Sequence, residues 1–202
     1  MEKNSIRRIT EAVVIGGSAG SLDVILKTLP SLTTKLTFPV IVILHRKSSF
    51  DSNLSTLFAG KTSLRVKEAE EKEELLAGTI YLAPADYHLL VEKDGSLSVD
   101  YSEKVNYSRP SIDVTFETAA EAFRENTVGI LLSGANADGA LGLKAIHSKG
   151  GITAVQNPET SEIAYMPNQA LALGTVDYIL NNDEIAYFIN KLSEYRSKHQ
   201  SE

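Results

Sequence analysis

The segment VVIGGSAGSLDVILKTL, residues 13–29, constrains the fold more than any other part of the chain. It begins as an apolar, β-branched run typical of a buried strand, turns through a glycine-rich corner, and continues at once as an amphipathic helix. The apolar residues on one face of that helix are Leu22, Ile25, Leu26 and Leu29. A buried strand that leads directly into a helix predicts an α/β architecture.

The same alternation continues along the chain. Further buried strands are predicted over 38–45, 79–84, 127–134, 152–156 and 176–180, and helices over 51–60, 111–126, 138–150 and 183–198. Strands that are apolar on both faces belong to parallel sheets covered by helices. An alternating segment around Asp94-Gly95 predicts an antiparallel β-hairpin over 87–101. We therefore predict a doubly wound, mostly parallel sheet flanked by helices, with an antiparallel β-hairpin at one edge.

Length and composition limit the class of protein. The chain has 202 residues, a net charge of −6 and no cysteine, so disulfides, thiolate metal sites and a cysteine nucleophile are excluded, and general nucleic-acid binding is disfavoured. No apolar run resembles a secretory signal or approaches the ~20 residues of a membrane span. We predict a soluble, cytoplasmic protein with an N-terminal tail over 1–11, one domain over 12–192, and a polar end over 193–202. The acidic stretch over 67–78 is interpreted as a solvated segment.

Three predicted strands end in side chains with catalytic chemistry. Ser18 follows the first strand, His45 ends the second, and Asp138 follows the strand over 127–134. In open α/β sheets, sites lie outside the carboxyl ends of the strands, so these side chains are expected to converge. A hydroxyl, an imidazole and a carboxylate are the components of a nucleophilic triad. Their order along the chain differs from that of α/β-hydrolases.

The corner over 16–20 has the pattern G-x-S-x-G. Its glycines permit a sharp turn that exposes the serine hydroxyl, and the amides that open the next helix favour negative charge. The corner is equally compatible with a phosphate-binding turn or a plain tight turn, and His45 and Asp138 with capping residues. Other histidines, such as His88 in the predicted hairpin, are less suited to the role of a base.

Several separated motifs resemble one family, the chemotaxis protein-glutamate methylesterases of the CheB type, in their catalytic domain. The resemblance runs from about residue 12 to about residue 192, and the motifs follow the family's order. They are VVIGGSAGSLDVILKTLPSL, FPVIVILHR, GTIYLAPADYHLLV, NYSRPSIDVTF, GILLSGANADGALGLKAI and MPNQALALGTVDYIL.

The resemblance implies that Ser18 is the nucleophile, His45 the general base and acid, and Asp138 the orienting carboxylate, with backbone support for the oxyanion at Ala19 and Ala135. It implies hydrolysis of γ-methyl esters on glutamates of methyl-accepting chemoreceptors through an acyl-enzyme, and a related deamidation of receptor glutamines. The implied partners are the cytoplasmic helices of those receptors. Neither a metal nor an organic cofactor is implied, and no membrane insertion.

The chain departs from the family pattern in three places. Ala19 stands where threonine often follows the serine, and Asn136 replaces a glycine, which bears on the path of that loop. Many members carry an N-terminal receiver domain, but eleven residues precede the first predicted strand here, which leaves no room for one in this chain. The sequence leaves open whether control differs or the chain is one domain of a longer protein.

Two other functions remain open on the sequence alone. One is a non-catalytic receptor-binding module of the same fold, and the other is a phosphate- or nucleotide-binding α/β domain. Arg46 and Lys47, which follow His45, are most simply a solvated basic pair. Since the implied substrate is an acidic helix, we also expect them to lie at the rim of the site, attract that helix and keep His45 neutral.

Overall fold

The structure, a computed structural model, describes residues 9–45 and 53–199, and the side chains through residue 194. The strands are β1 (Ala12–Gly17), β2 (Val40–Leu44), β3 (Arg65–Glu68), β4 (Glu73–Glu74), β5 (Thr79–Leu82), β6 (His88–Val91), β7 (Ser96–Asp100), β8 (Thr127–Leu131), β9 (Ile152–Gln156) and β10 (Tyr178–Leu180). The helices are α1 (Ser21–Thr28), α2 (Leu54–Ala59), α3 (Ile112–Phe123), α4 (Ala140–Ser148), α5 (Tyr165–Ala172) and α6 (Ile185–His199).

A seven-stranded sheet forms the centre of the protein, in the order β10-β9-β8-β1-β2-β5-β3, with every neighbouring pair parallel. The predicted parallel, doubly wound sheet is therefore confirmed. β1 lies between β8 and β2, and Gly16 is in register with Leu131 on one side and Ile43 on the other. The carboxyl ends of these three strands therefore lie side by side where the strand order reverses, which is the usual place for a site.

The predicted hairpin is confirmed as β6 and β7, which turn at Asp94-Gly95. The two strands belong to a small antiparallel sheet of their own, in the order β4-β7-β6, and β6 packs on α3. The acidic stretch over 67–78, predicted to be a solvated segment, is exposed or half-buried except at Ala69, and it also supplies the end of β3 and the whole of β4. β3 is an outer strand of the large sheet, and charged residues are common on such edges because they discourage pairing with other chains.

The large sheet has a hydrophobic core on each face. Along β1, Val13 and Ile15 belong to the core under α1 and α6, whereas Val14 belongs to the core under α3 and α4. Burial on both faces explains why the strands have continuous apolar runs. Each fully buried valine or isoleucine contributes about 1.5–3 kcal/mol. None of the helices in the described part of the chain has the length and apolar character needed to cross a membrane.

Candidate active site

Ser18 lies at the corner between β1 and α1. Its backbone N–H donates to the carbonyl oxygen of Ser133 at 2.9 Å, and its own carbonyl oxygen accepts from the N–H of Ser21 at 3.0 Å and from the Ser21 Oγ at 2.5 Å. Gly20 has a φ of 82°, and a Cβ there would lie 2.6 Å from the Cβ of Glu162. The corner therefore requires glycine at position 20 and fixes the backbone that carries the Ser18 hydroxyl.

His45 follows β2 and lies next to this corner. Its backbone N–H donates to the carbonyl oxygen of Gly17 at 3.2 Å. The side chain is 12% exposed, and its Nε2 lies 2.7 Å from Oδ2 of Asp138. Because Nε2 is engaged by the carboxylate, Nδ1 is the ring nitrogen left to accept a proton.

Asp138 is fully buried at the N-terminus of α3. Besides His45, its Oδ2 accepts from the N–H of Ile112 at 2.7 Å, while Oδ1 accepts from Ser111 Oγ at 2.8 Å and from the N–H of Asp113 at 3.1 Å. A helix N-terminus has unpaired N–H groups and the positive end of the helix dipole, so it stabilises a carboxylate. Asp138 thus does cap a helix, but this is α3 and not α4, the helix that it precedes.

These contacts determine the charge of Asp138. Burial alone would raise the pKa of its carboxyl, but the hydrogen bonds from His45, Ile112 and Ser111, together with the charge of His45, bring that pKa below the usual value. The carboxylate therefore stays ionised around neutral pH. An ionised carboxylate on the far nitrogen orients the imidazole and stabilises the imidazolium that forms when the ring takes a proton.

A second buried carboxyl, Asp113, lies in the first turn of α3 and caps α4. Its Oδ1 accepts from the N–H groups of Gly139 at 2.8 Å and Gly142 at 2.7 Å. Burial, which is the largest cause, and the nearby charge of Asp138 raise the pKa of Asp113 to about 6, although both backbone hydrogen bonds oppose this. The close packing of the helices requires Gly142, since a Cβ there would lie 3.0 Å from the Asp113 Cα.

The loop between β7 and α3 closes over the two carboxyls and the imidazole. Asn106 Nδ2 donates to Asp113 Oδ2 at 2.9 Å and to Asp138 Oδ1 at 3.3 Å. The Oγ of Ser108 lies 3.4 Å from Nδ1 of His45. Asn106 and Ser108 occur in the motif NYSRPSIDVTF, which is one of the motifs that resemble the family, but nothing in the sequence pointed to their contacts with the carboxyls and His45.

Asn136, where the family pattern has glycine, takes part in the same network. Its Nδ2 donates to Ser108 Oγ at 3.2 Å, and its Oδ1 accepts from the N–H of Asp138 at 3.3 Å. The substituted side chain therefore ties the loop that carries Asp138 to the loop that covers His45.

His88 was also missed as a contributor to this region. It is buried at the start of β6, where its Nε2 donates to the carbonyl oxygen of Glu103 at 3.0 Å and its Nδ1 accepts from the N–H of Ser111 at 3.2 Å. A ring that accepts at Nδ1 is neutral. His88 therefore fastens both ends of the loop, and one of these ends is the residue that donates to Asp138.

The structure brings Ser18, His45 and Asp138 to the adjacent ends of β1, β2 and β8. Within residues 9–45 and 53–199, no hydrogen bond joins Ser18 Oγ to His45. Such bonds are often long in unliganded enzymes and tighten when substrate binds.

The two residues expected to support an oxyanion lie close to Ser18. Ala19 follows it directly, and Ala135 follows Gly134, at which a Cβ would lie 3.0 Å from the Ser18 Cβ. In the described part of the chain, the backbone N–H groups of Ala19 and Ala135 have no hydrogen-bond partner. Arg46 and Lys47 lie outside the described residues.

One large cleft lies away from the candidate catalytic residues. A cleft of about 1070 Å³ lies between the small sheet and the end of α3, with Glu71, Leu75, Leu97 and Phe123 in its lining. None of the candidate catalytic residues lines it. The candidate site rests on the chemistry of its side chains, in particular on a buried carboxylate paired with a histidine.

Comparison with known proteins identifies the same fold and the same residue range. The CheB methylesterase family model matches residues 13–189. A Leptospira interrogans protein, provisionally named protein-glutamate methylesterase/protein-glutamine glutaminase, is 44% identical over 184 residues, covering 91% of this chain and 95% of the relative. A Carboxydothermus hydrogenoformans protein-glutamate methylesterase/protein-glutamine glutaminase is 39% identical, and the match covers 87% of this chain but 53% of the relative.

A solved structure agrees with these matches. The crystal structure of the Thermotoga maritima CheB methylesterase catalytic domain superposes with a TM-score of 0.86 at 31% identity, covering 92% of this chain and all of that chain. This chain therefore spans nearly all of one relative and about half of another, and it matches a structure that is itself a catalytic domain.

Proposed function

Because this chain belongs to the CheB methylesterase family, we propose that it is a protein-glutamate methylesterase. It is a serine hydrolase that removes γ-methyl esters from glutamates of methyl-accepting chemoreceptors and deamidates receptor glutamines. The observation that carries the proposal is the 2.7 Å contact of His45 with the buried Asp138, beside the Ser18 corner. A buried carboxylate that holds a histidine next to a serine is the arrangement that acyl transfer to serine requires.

In the first half of the reaction, Ser18 Oγ attacks the ester carbonyl and its proton passes to His45 Nδ1. The negative charge moves to the former carbonyl oxygen, and the backbone N–H groups of Ala19 and Ala135 stabilise it. The imidazolium remains paired with Asp138 through Nε2. It then returns its proton to the departing methoxide, so methanol leaves and the glutamyl group stays on Ser18 as an ester.

In the second half, water takes the place of the serine hydroxyl. His45 Nδ1 removes a proton from the water as it attacks the acyl-enzyme, and then gives that proton to Ser18 Oγ as the glutamate carboxyl is released. A glutamine substrate follows the same route with ammonia as the leaving group. The positioning of Asp138 at the N-terminus of α3 keeps the ring orientation constant through both halves.

The alternatives account for less of the site. A phosphate-binding corner gives no reason for a buried carboxylate on His45, and a non-catalytic module gives no reason to pair that carboxylate with a histidine beside the Ser18 corner. Arg46 and Lys47 are proposed to attract the acidic receptor helix. If so, the double variant Arg46→Ala/Lys47→Ala lowers kcat/KM on receptor and flattens its salt dependence, with a smaller effect on a neutral ester.

Methanol release from a methylated chemoreceptor cytoplasmic domain tests the proposal. The parent chain is expected to release methanol, and Ser18→Ala is expected to release none while retaining the parent's thermal unfolding midpoint, because the side chain lies at a corner with few core contacts. Ser148→Ala, which removes an exposed serine at the end of α4, is the control and should keep the parent's rate of methanol release. Full activity in Ser18→Ala, or no methanol release by the parent, contradicts the proposal.

A further inference from the structure

Tyr107 has a backbone conformation and an exposure that the fold does not explain. Val105 and Ser108 pair as the ends of a tight turn, with N–H···O distances of 3.2 and 2.9 Å, and the residues between them, Asn106 and Tyr107, have φ of 49° and 62°. Two positive φ angles in a two-residue turn are typical of type I′ geometry, in which glycine is the usual second residue. Tyrosine at that position destabilises the chain.

Burial of the Tyr107 ring does not compensate for this strain. The residue is 98% exposed, so its side chain packs against almost no other part of the protein. Burial of an aromatic ring is what normally makes tyrosine stabilising. A large side chain that is both strained in its backbone and unburied is explained more readily by a contact outside the chain than by folding.

The neighbours of Tyr107 locate the ring at the rim of the candidate site. The residue before it, Asn106, donates to both Asp113 and Asp138, and the residue after it, Ser108, lies 3.4 Å from His45 Nδ1. One tight turn therefore directs two side chains to the catalytic groups and carries the tyrosine outward between them.

Contacts of Arg109 join the segment before this turn to the segment after it. Arg109 Nη1 donates to the carbonyl oxygens of Ser102 at 2.7 Å and Tyr101 at 3.3 Å, and its guanidinium lies 3.9 Å from the centre of the Tyr101 ring. The Tyr101 ring, in a residue that is 65% exposed, lies 5.4 Å from that of Tyr87. A fixed loop that bears exposed tyrosines binds with little further loss of entropy.

We propose that Tyr107 determines specificity for the protein that carries the ester, by packing its ring against the segment around the esterified side chain. This inference rests on the proposed function. Tyrosine suits a surface rich in glutamate and glutamine, because its ring covers their methylene groups while its hydroxyl bonds to their oxygens. A small ester reaches the catalytic groups without extending to the rim, so it does not use this contact.

The proposal is tested by measuring kcat/KM of the full chain on two substrates, a methylated receptor domain and p-nitrophenyl acetate. Tyr107→Asn keeps a residue that tolerates positive φ and removes the ring. It is expected to lower kcat/KM on the receptor domain by about tenfold, as for a binding hot spot, and to leave the small ester within about twofold. Tyr187→Ala, which removes a 54% exposed tyrosine from α6, should change neither value.

A binding measurement separates this inference from the proposed function. In a Ser18→Ala background, Tyr107→Asn should weaken calorimetric binding of the receptor domain by about tenfold. If the parent hydrolyses neither substrate but binding depends on Tyr107, the esterase proposal fails and the inference stands. Equal losses on receptor and small ester, unchanged rates on both, or receptor binding that is absent or independent of Tyr107 overturn the inference.

Discussion

The N-termini of α3 and α4 resemble each other in construction and differ in chemistry. Each is capped by a buried carboxyl from the neighbouring segment: Asp138, which precedes α4, caps α3, and Asp113, in the first turn of α3, caps α4. Yet the pKa of Asp138 is lowered, whereas that of Asp113 is raised to about 6. Burial and helix N–H groups are common to both, so they do not account for the difference.

His45 accounts for the difference between the two ends. Its Nε2 lies 2.7 Å from Oδ2 of Asp138, which also accepts a hydrogen bond from the Ser111 hydroxyl. The pKa of Asp113 is instead raised by burial and by the charge of Asp138. A helix N-terminus alone thus does not lower the pKa of a buried carboxyl here. The pairing with a histidine distinguishes the N-terminus of α3, which holds the candidate catalytic carboxylate, from that of α4.

The largest expected effect is the loss of catalysis when Asp138 is neutralised, and the same change at Asp113 is the comparison. Asp138→Asn should lower kcat for methanol release by about 10³–10⁴-fold, because an amide neither holds the correct tautomer of His45 nor stabilises the imidazolium. Asp113→Asn keeps an oxygen acceptor for Gly139 and Gly142 and should stay within about tenfold of the parent. Steady-state kinetics of the two variants, with circular dichroism to verify folding, check this. Comparable losses in both would mean that the two carboxyls act as one unit.

The next effect is on stability, and it belongs to Asp113. The folded chain holds this proton up to about pH 6, whereas an aspartate in the unfolded chain releases it near 3.8. Folding therefore binds a proton between these values, and the stability that Asp113 contributes is complete below pH 3.8 and lost as the pH rises through 6. At about 1.36 kcal/mol per pKa unit, the loss is about 3 kcal/mol.

Urea unfolding of the parent and of Asp113→Asn between pH 4 and 7 measures this loss. The unfolding free energy of the parent, taken relative to the variant, should fall by up to about 3 kcal/mol across that range, because other titrating groups cancel in the difference. A difference that does not change with pH would show that Asp113 is ionised throughout, like Asp138.

A smaller effect on kcat is expected from changes at His88, which contacts the N-terminus of α3 and not that of α4. His88→Asn retains an acceptor near Nδ1 for the N–H of Ser111, whereas His88→Gln retains a donor for the carbonyl of Glu103. Since Ser111 donates to Asp138, the Gln variant should lose about tenfold in kcat with KM little changed, and the Asn variant should lose less. The reverse order would mean that the tether to Glu103 matters more than the one to Ser111.

The regular elements of the fold were largely predictable from the sequence. β9 was predicted at the bounds observed, and Ile185, Phe188, Ile189 and Leu192 are buried as the helical spacing over 183–198 predicted. These segments were predictable because burial of one or both faces imposes a hydrophobic pattern on the sequence. β3 and β4 were missed because their exposed, charged residues follow no such period, and their strand geometry comes from pairing with β5 and β7.

The residues of the candidate site were also predictable only in part. Ser18, His45 and Asp138 each follow a buried strand, so the strand-end rule was enough to group them. The contributions of Asn106 and Asp113 were not predictable, because they depend on a loop and a helix start that tertiary packing brings to Asp138. His88 was set aside for lying in the hairpin, although the packing of β6 on α3 brings it against Ser111.

Mass-spectrometric mapping of a fluorophosphonate adduct determines whether His45 activates Ser18. Two serines are candidates, because Ser108 Oγ lies 3.4 Å from His45 Nδ1, whereas no described hydrogen bond joins Ser18 Oγ to that ring. We expect a single adduct on Ser18 that is lost in Ser18→Ala, kept in Ser108→Ala, and formed far more slowly in Asp138→Asn. An adduct on Ser108, or labelling that persists in Ser18→Ala, would contradict it.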